Sequence, residues 1–216
     1  IFGVIHMDKL ILSGVIRNIF AKDRQCTINA DIDGIIAGML LQKFLNWIVV
    51  GYSSCRGRYD DELWIKTDVE DLRNCVFVDL PVSVSGLSVI DQHFVSLNKD
   101  SITKYNNDAN KANPNVMRNK VYYNDDQQNQ HTQKYPFGTT HFVLAILENL
   151  GYIKSDYVLN FSKRIEDFDL ADLVLRADRV ISNTYLYTRN CLDWADWIIS
   201  LGGRNTKAFF RSEKRI

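Results

Sequence analysis

An α/β fold, built on a doubly wound and mainly parallel sheet flanked by helices, is predicted for this chain by three features. Short β-type apolar runs end in aspartates: Gln25 to Ala30 leads into Asp31 and Asp33, Asn74 to Val78 into Asp79, and Ser88 to Ile90 into Asp91. Segments of helical period stand between and after these runs, the alternation that parallel sheets require. The first half of the chain is β-rich and the second half helical.

Taken in order, Asp8 to Ala21 carries Leu10, Ile11, Val15, Ile19 and Phe20 at near-helical spacing, so residues 1–22 form an N-terminal helix that covers the sheet. Gln25 to Ala30 is the first strand. Gly34 then turns the chain into a helix of about Ile35 to Trp47, where Ile36, Leu40 and Phe44 recur every four residues beside Leu41. Ile48 to Tyr52 is a second strand, followed by a polar loop, Ser53 to Asp61, with Arg56 and Arg58. Leu63 to Ile65 is a short third strand. Asn74 to Asp79 is continuously apolar up to its last residue, as a buried parallel strand should be. Ser88 to Asp91 repeats that design and runs into Gln92 and His93.

From Asn98 the composition turns to Asn, Gln, Asp and Lys, and residues 98–137 read as a polar insertion on the surface, with short strands at Ile102 to Tyr105 and Val121 to Tyr123. Pro136 to Thr140 opens a helix that stops at Gly151, a C′ glycine. Its buried stripe is Phe142, Ala145, Ile146 and Leu150. Lys154 to Arg164, Asp167 to Asn183 and Cys191 to Leu201 are further helical stretches, the last carrying Trp194 and Trp197.

The 216 residues suffice for a single domain. Lys plus Arg balance Asp plus Glu at 26 each, which excludes a global basic field and leaves nucleic-acid contact to a local patch. Cys26, Cys55, Cys75 and Cys191 form no CxxC pair, so thiols in a cytoplasmic protein are expected and a zinc site is not. No apolar run has the length of a membrane span, and no signal peptide is visible. The chain opens on Ile1 and stops at Ile216 in mid-pattern, as a trimmed fragment would.

Asp31 and Asp33 sit at the carboxyl end of a strand, the edge where α/β sheets place their sites. Carboxylates held so close repel unless a positive charge lies between them, and Mn²⁺ or Mg²⁺ prefers such oxygen ligands. Asp-x-Asp is also common as a turn and helix cap. In a parallel sheet, however, Asp79, Asp91 and His93 emerge on the same edge. Convergent carboxylates with a histidine suit a site of one or two metals that splits a phosphate ester.

The order of these motifs resembles the DHH phosphoesterase family, which includes RecJ-like exonucleases and nano-RNA phosphodiesterases. Asn29-Ala30-Asp31-Ile32-Asp33-Gly34 is similar to the first motif, Val76-Phe77-Val78-Asp79 to the second, and Val89-Ile90-Asp91-Gln92-His93 to the Asp-His-His signature. Leu173 to Asp178 resembles the fourth. The resemblance covers about Cys26 to Asn183. It implies a single DHH-like domain, with Asp31 and Asp33 on separate metals, Asp79 bridging them and Asp178 completing the second site. It also implies that His93 faces the substrate phosphate, stabilising charge or donating a proton, while Asp91 orients its neighbours.

Two residues depart from the family pattern. Asn29 stands where His or Asp is usual, and Gln92 stands for the first His of the signature. Amide oxygens ligate hard cations but bring no charge, so each swap weakens a metal site. For the phosphate, Arg56, Arg58, Arg176 and Arg179 are candidate donors, and Thr139 and Thr140 head a helix whose free amides suit an anion. Gly202-Gly203-Arg204 is the nearest echo of the glycine-rich loop that a second, substrate-binding domain carries in the family; that domain is expected to be absent or truncated. The expected activity is metal-dependent hydrolysis of single-stranded nucleic acid or short oligonucleotides, of exonuclease type. The alternatives are a degenerate DHH-like domain kept for binding or assembly, and an unrelated α/β hydrolase or transferase using Asp31 and Asp33 alone.

Overall fold

A computed structural model of the chain describes residues 12–54, 62–94, 110–118, 134–154 and 184–207, with the backbone alone over 184–192. Arg56, Arg58, Arg176, Asp178 and Arg179 lie outside the described residues. So do the helix expected at Asp167 to Asn183, the strands expected at Ile102 to Tyr105 and Val121 to Tyr123, and all but the first residue of Lys154 to Arg164.

The strands are β1 (Gln25–Asn29), β2 (Ile48–Ser53), β3 (Leu63–Ile65), β4 (Cys75–Val78), β5 (Ser88–Ile90) and β6 (Lys111–Ala112). They form one sheet in the order β3-β2-β1-β4-β5-β6. All neighbours are parallel except β2 and β3, which pair antiparallel. The order grows outward in both directions from β1 and β4. The crevice beyond their carboxyl ends is therefore the switch point at which open α/β sheets bind ligands.

Helices α1 (Gly14–Ile19), α2 (Ile32–Leu45), α4 (Thr139–Asn149) and α5 (Thr184–Gly202) contribute to one continuous core with Cys26, Ile28, Val76, Val78 and Ile90. Side chains alternate along a strand, so Phe77 and Val89 face the other way and form a smaller cluster with Leu80. Leu72, Val82 and Leu87 pack on that cluster from a 3₁₀ turn and a loop. Among the described residues, the helices of the main core thus cover one face of the sheet, and the two-sided cover of a doubly wound fold is not seen.

α2 begins at Ile32, three residues earlier than its apolar period suggests. Asp31 is its N-cap and accepts a hydrogen bond from the Gly34 amide at 2.9 Å. Asp33 therefore lies inside the first helical turn. Gly34 is required where α2 meets the end of β1, because a Cβ there would run into the Asn29 carbonyl. The helix stops at Asn46 in the left-handed conformation (φ 58°), and Trp47 leaves it to bond the Ala21 carbonyl through Nε1 at 2.7 Å.

Residues 110–118, expected on the surface, form an edge strand of the sheet and the short helix after it. β6 pairs parallel with β5, and the short helix α3 (Pro114–Met117) follows, capped by Asn113. Asn113 and Asn115 are fully buried. A two-residue strand carries no periodicity, which is why the polar composition concealed it. The Lys111 amine donates to the carbonyls of Val84 (2.7 Å) and Leu87 (3.0 Å), tying the loop before β5 to β6. Gly202 and Gly203 end α5. The Glu148 carboxylate accepts the amides of Asn205 (2.7 Å) and Thr206 (2.8 Å) just beyond them, so this segment is a helix junction in the core rather than a substrate loop.

Candidate metal centre

Four segments meet at the switch point: the turn from β1 into α2 (Asn29, Asp31, Asp33), the end of β4 (Asp79), the turn after β5 (Asp91, Gln92, His93), and the start of α4 (Thr139, Thr140). Asp79 is the hub. It is 0 % exposed, and its amide continues the ladder by donating to the Ile90 carbonyl at 2.8 Å. Its backbone is left-handed (φ 59°), a conformation uncommon for a residue with a Cβ and found at functional sites.

Three groups link the hub to the other acids. Asn29 Nδ2 donates to Asp31 Oδ2 at 2.9 Å and to Asp79 Oδ2 at 3.2 Å. Thr139 donates its hydroxyl to Asp79 Oδ1 at 2.6 Å and its amide to Asp33 Oδ2 at 2.7 Å. His93 Nδ1 lies 2.7 Å from Asp91 Oδ1 and 3.6 Å from Asp79 Oδ1. Asp79, Asp91 and His93 each offer a ligand atom within 4.8 Å of the other two. The first two are buried, while the His93 side chain is 39 % exposed.

Asp33 is held differently. Its two oxygens accept the amides of Thr139 (2.7 Å) and Thr140 (2.8 Å), so its carboxylate sits on the N-terminus of α4. Free amides and the helix dipole favour an anion there. Gly138 makes the approach possible, since a Cβ on it would stand 2.7 Å from both Asp33 oxygens. His141, one turn in, accepts the Gly138 amide on Nδ1 at 3.2 Å and caps the helix.

The electrostatics follow from this crowding. Burial, then the Asp33 charge, with smaller contributions from Asp31 and Asp91, push the Asp79 carboxyl up to about 10, against the pull of the Thr139 hydroxyl. Burial acts against a charged His93, but the hydrogen bond and charge of Asp91 outweigh it, with Asp33 adding and Lys134 opposing, and its pKa is raised. Burial pushes His141 down to about 4 despite the nearby Asp33 charge, so it is neutral. Carboxylates that repel this strongly fit a cation among them, and the Asp79, Asp91 and His93 group could hold a metal ion.

Of the residues read from the sequence, Asn29, Asp31, Asp33, Asp79, Asp91 and His93 come together. Gln92 is buried in the turn between Asp91 and His93, and its carbonyl accepts from Asn115 Nδ2 at 2.8 Å. Asn29 lies between the carboxylates of Asp31 and Asp79, its Nδ2 bonded to both. One role changes. Thr139, expected to hold substrate phosphate, is fully buried with amide and hydroxyl spent on Asp33 and Asp79. The anion on α4 is the protein's own. Asn113 and Asn115, which hold the His93 turn, were missed; Asn before Pro at a helix start was the available signal. Compared with protein-family models, curated proteins and solved structures, the chain matches none.

Proposed function

We propose that this chain is a DHH-like, divalent-metal-dependent phosphodiesterase acting on single-stranded nucleic acid or short oligonucleotides. The observation that carries the reading is the convergence on Asp79 of carboxylates from separate strand ends, beside an exposed imidazole. Mn²⁺ or Mg²⁺ would be held by the carboxylates of Asp79 and Asp31, while both Asp91 oxygens are engaged by the His93 ring and the Phe94 amide. Such an ion supplies positive charge to phosphoryl oxygens and lowers the pKa of bound water. The chain's own groups do the rest. Asp91 fixes the His93 ring through Nδ1, so Nε2 is the nitrogen that faces a substrate and donates a proton to a leaving oxygen. Asp33, seated on the α4 amides, anchors the helix against the site. Thr139 holds Asp79 in place.

A second reading has a specific observation in its favour. Asn29 Nδ2 occupies the position between Asp31 and Asp79 where a cation would otherwise join them, as in a site retained only for binding or assembly. Calorimetric titration with Mn²⁺, together with release of mononucleotides from a short oligonucleotide, separates the two. The enzyme binds Mn²⁺ at micromolar concentration and cleaves; a protein that does neither is the binding module.

A further inference from the structure

We infer that Asn115, assisted by Asn113, is a positioning residue for His93: its side-chain amide grips the carbonyls on both sides of that histidine and fixes where the imidazole stands. This rests on the reading of His93 as the group that meets substrate.

Asn115 is 0 % exposed. Its Nδ2 donates to the Gln92 carbonyl at 2.8 Å and to the Phe94 carbonyl at 3.2 Å. Asn113 Nδ2 donates to the same Phe94 carbonyl at 3.1 Å. The Oδ1 atoms are occupied too: Asn115 accepts the Tyr135 amide at 2.7 Å, and Asn113 accepts the Val116 amide at 3.2 Å. One side chain thus spans the His93 turn and the segment entering α4. The turn has left the β5 ladder, so side chains provide its anchorage. Asp91 adds two bonds, to the His93 ring and to the Phe94 amide at 2.9 Å.

This clamp does more than satisfy buried groups. Its two carbonyls flank His93, the exposed member of the Asp79, Asp91 and His93 group. A shift of about 1 Å in a reacting group slows chemistry by about 100-fold without changing the fold.

The test uses two variants of the full chain. Asn113→Ser keeps an oxygen for the α3 cap and deletes the donor to Phe94; Asn115→Ala deletes the clamp. The first readout is Mn²⁺-dependent hydrolysis of bis(p-nitrophenyl) phosphate. The second is the ring ¹³C–¹H signal of His93 in metal-free protein, assigned with His93→Gln. The expected result is a kcat lowered at least tenfold for Asn115→Ala and severalfold for Asn113→Ser, with KM little changed and the His93 signal shifted or broadened in both. Folded variants with wild-type kcat and an unmoved His93 signal overturn the inference. If Asn115→Ala does not fold, Asn113→Ser decides by the same readouts. If the wild type hydrolyses nothing, the enzyme reading falls, and the His93 signal alone decides whether the clamp positions the ring.

Discussion

Asn29 donates from Nδ2 to Asp79 Oδ2 across 3.2 Å, joining the end of β1 to the end of β4. The same nitrogen reaches Asp31 at 2.9 Å. An amide therefore does, at this switch point, the bridging between carboxylates that a cation does elsewhere. It is a neutral bridge and brings no positive charge to the carboxylates around Asp79.

Replacing Asn29 by a charged ligand should strengthen cation binding. Asn29→Asp is expected to tighten Mn²⁺ at least about tenfold, as carboxylates are harder and more basic ligands than amides. Titration calorimetry gives the affinity. Unchanged affinity would mean that residue 29 does not reach the ion.

Asp79→Asn keeps the side chain's shape and removes its ionisation. Burial and the neighbouring carboxylates disfavour a charged Asp79. The metal-free variant should therefore be more stable than the wild type at pH 8 by about 1 kcal/mol, or roughly 2–4 °C for a chain of this size. Mn²⁺ should raise the melting temperature of the wild type and leave the variant's unmoved. An equal Mn²⁺ shift in both proteins would remove Asp79 from the metal centre.

His141 sets a pH dependence of its own. Its folded pKa of about 4 lies below the ordinary value of 6.5. The unfolded chain thus binds the extra proton between these values, and stability falls as the pH drops from about 6.5 to 4, by on the order of 3 kcal/mol. Glutamine at this position can cap the helix equally well but does not titrate. Denaturant unfolding across this range should show a flatter profile for His141→Gln than for the wild type; identical profiles would contradict a buried neutral imidazole.

Gly138→Ala places a methyl carbon 2.7 Å from both oxygens of Asp33. Overpacking at so tight a contact is expected to destabilise by about 2 kcal/mol. The seating of α4 on the site should loosen with it. Thermal unfolding measures the first effect, and faster amide exchange at Thr139 and Thr140 the second.

Much of the scaffold was readable along the chain. The apolar runs ending at Asn29, Val78 and Ile90 are strands, and the acids after them do share one sheet edge. The helix before Gly151 lies where its stripe of Phe142, Ala145, Ile146 and Leu150 put it. Errors arose where polar side chains do the organising. Asp31 starts α2 early by capping it. Lys111, Asn113 and Asn115 build a buried edge from a stretch whose composition resembles a surface.

By itself, the sequence determined the alternation of strands with helices and the carboxylates at the strand ends, because periodicity and capping act between neighbours a few residues apart. Tertiary structure alone decided which atoms meet: the Asn29 amide at Asp79, the Asp33 carboxylate on amides more than a hundred residues away, and Asn115 under the His93 turn. Those meetings depend on strand order and on the crossing of α2 with α4. Neither is encoded in local spacing, and a hydrogen bond changes its partner with a displacement of one ångström.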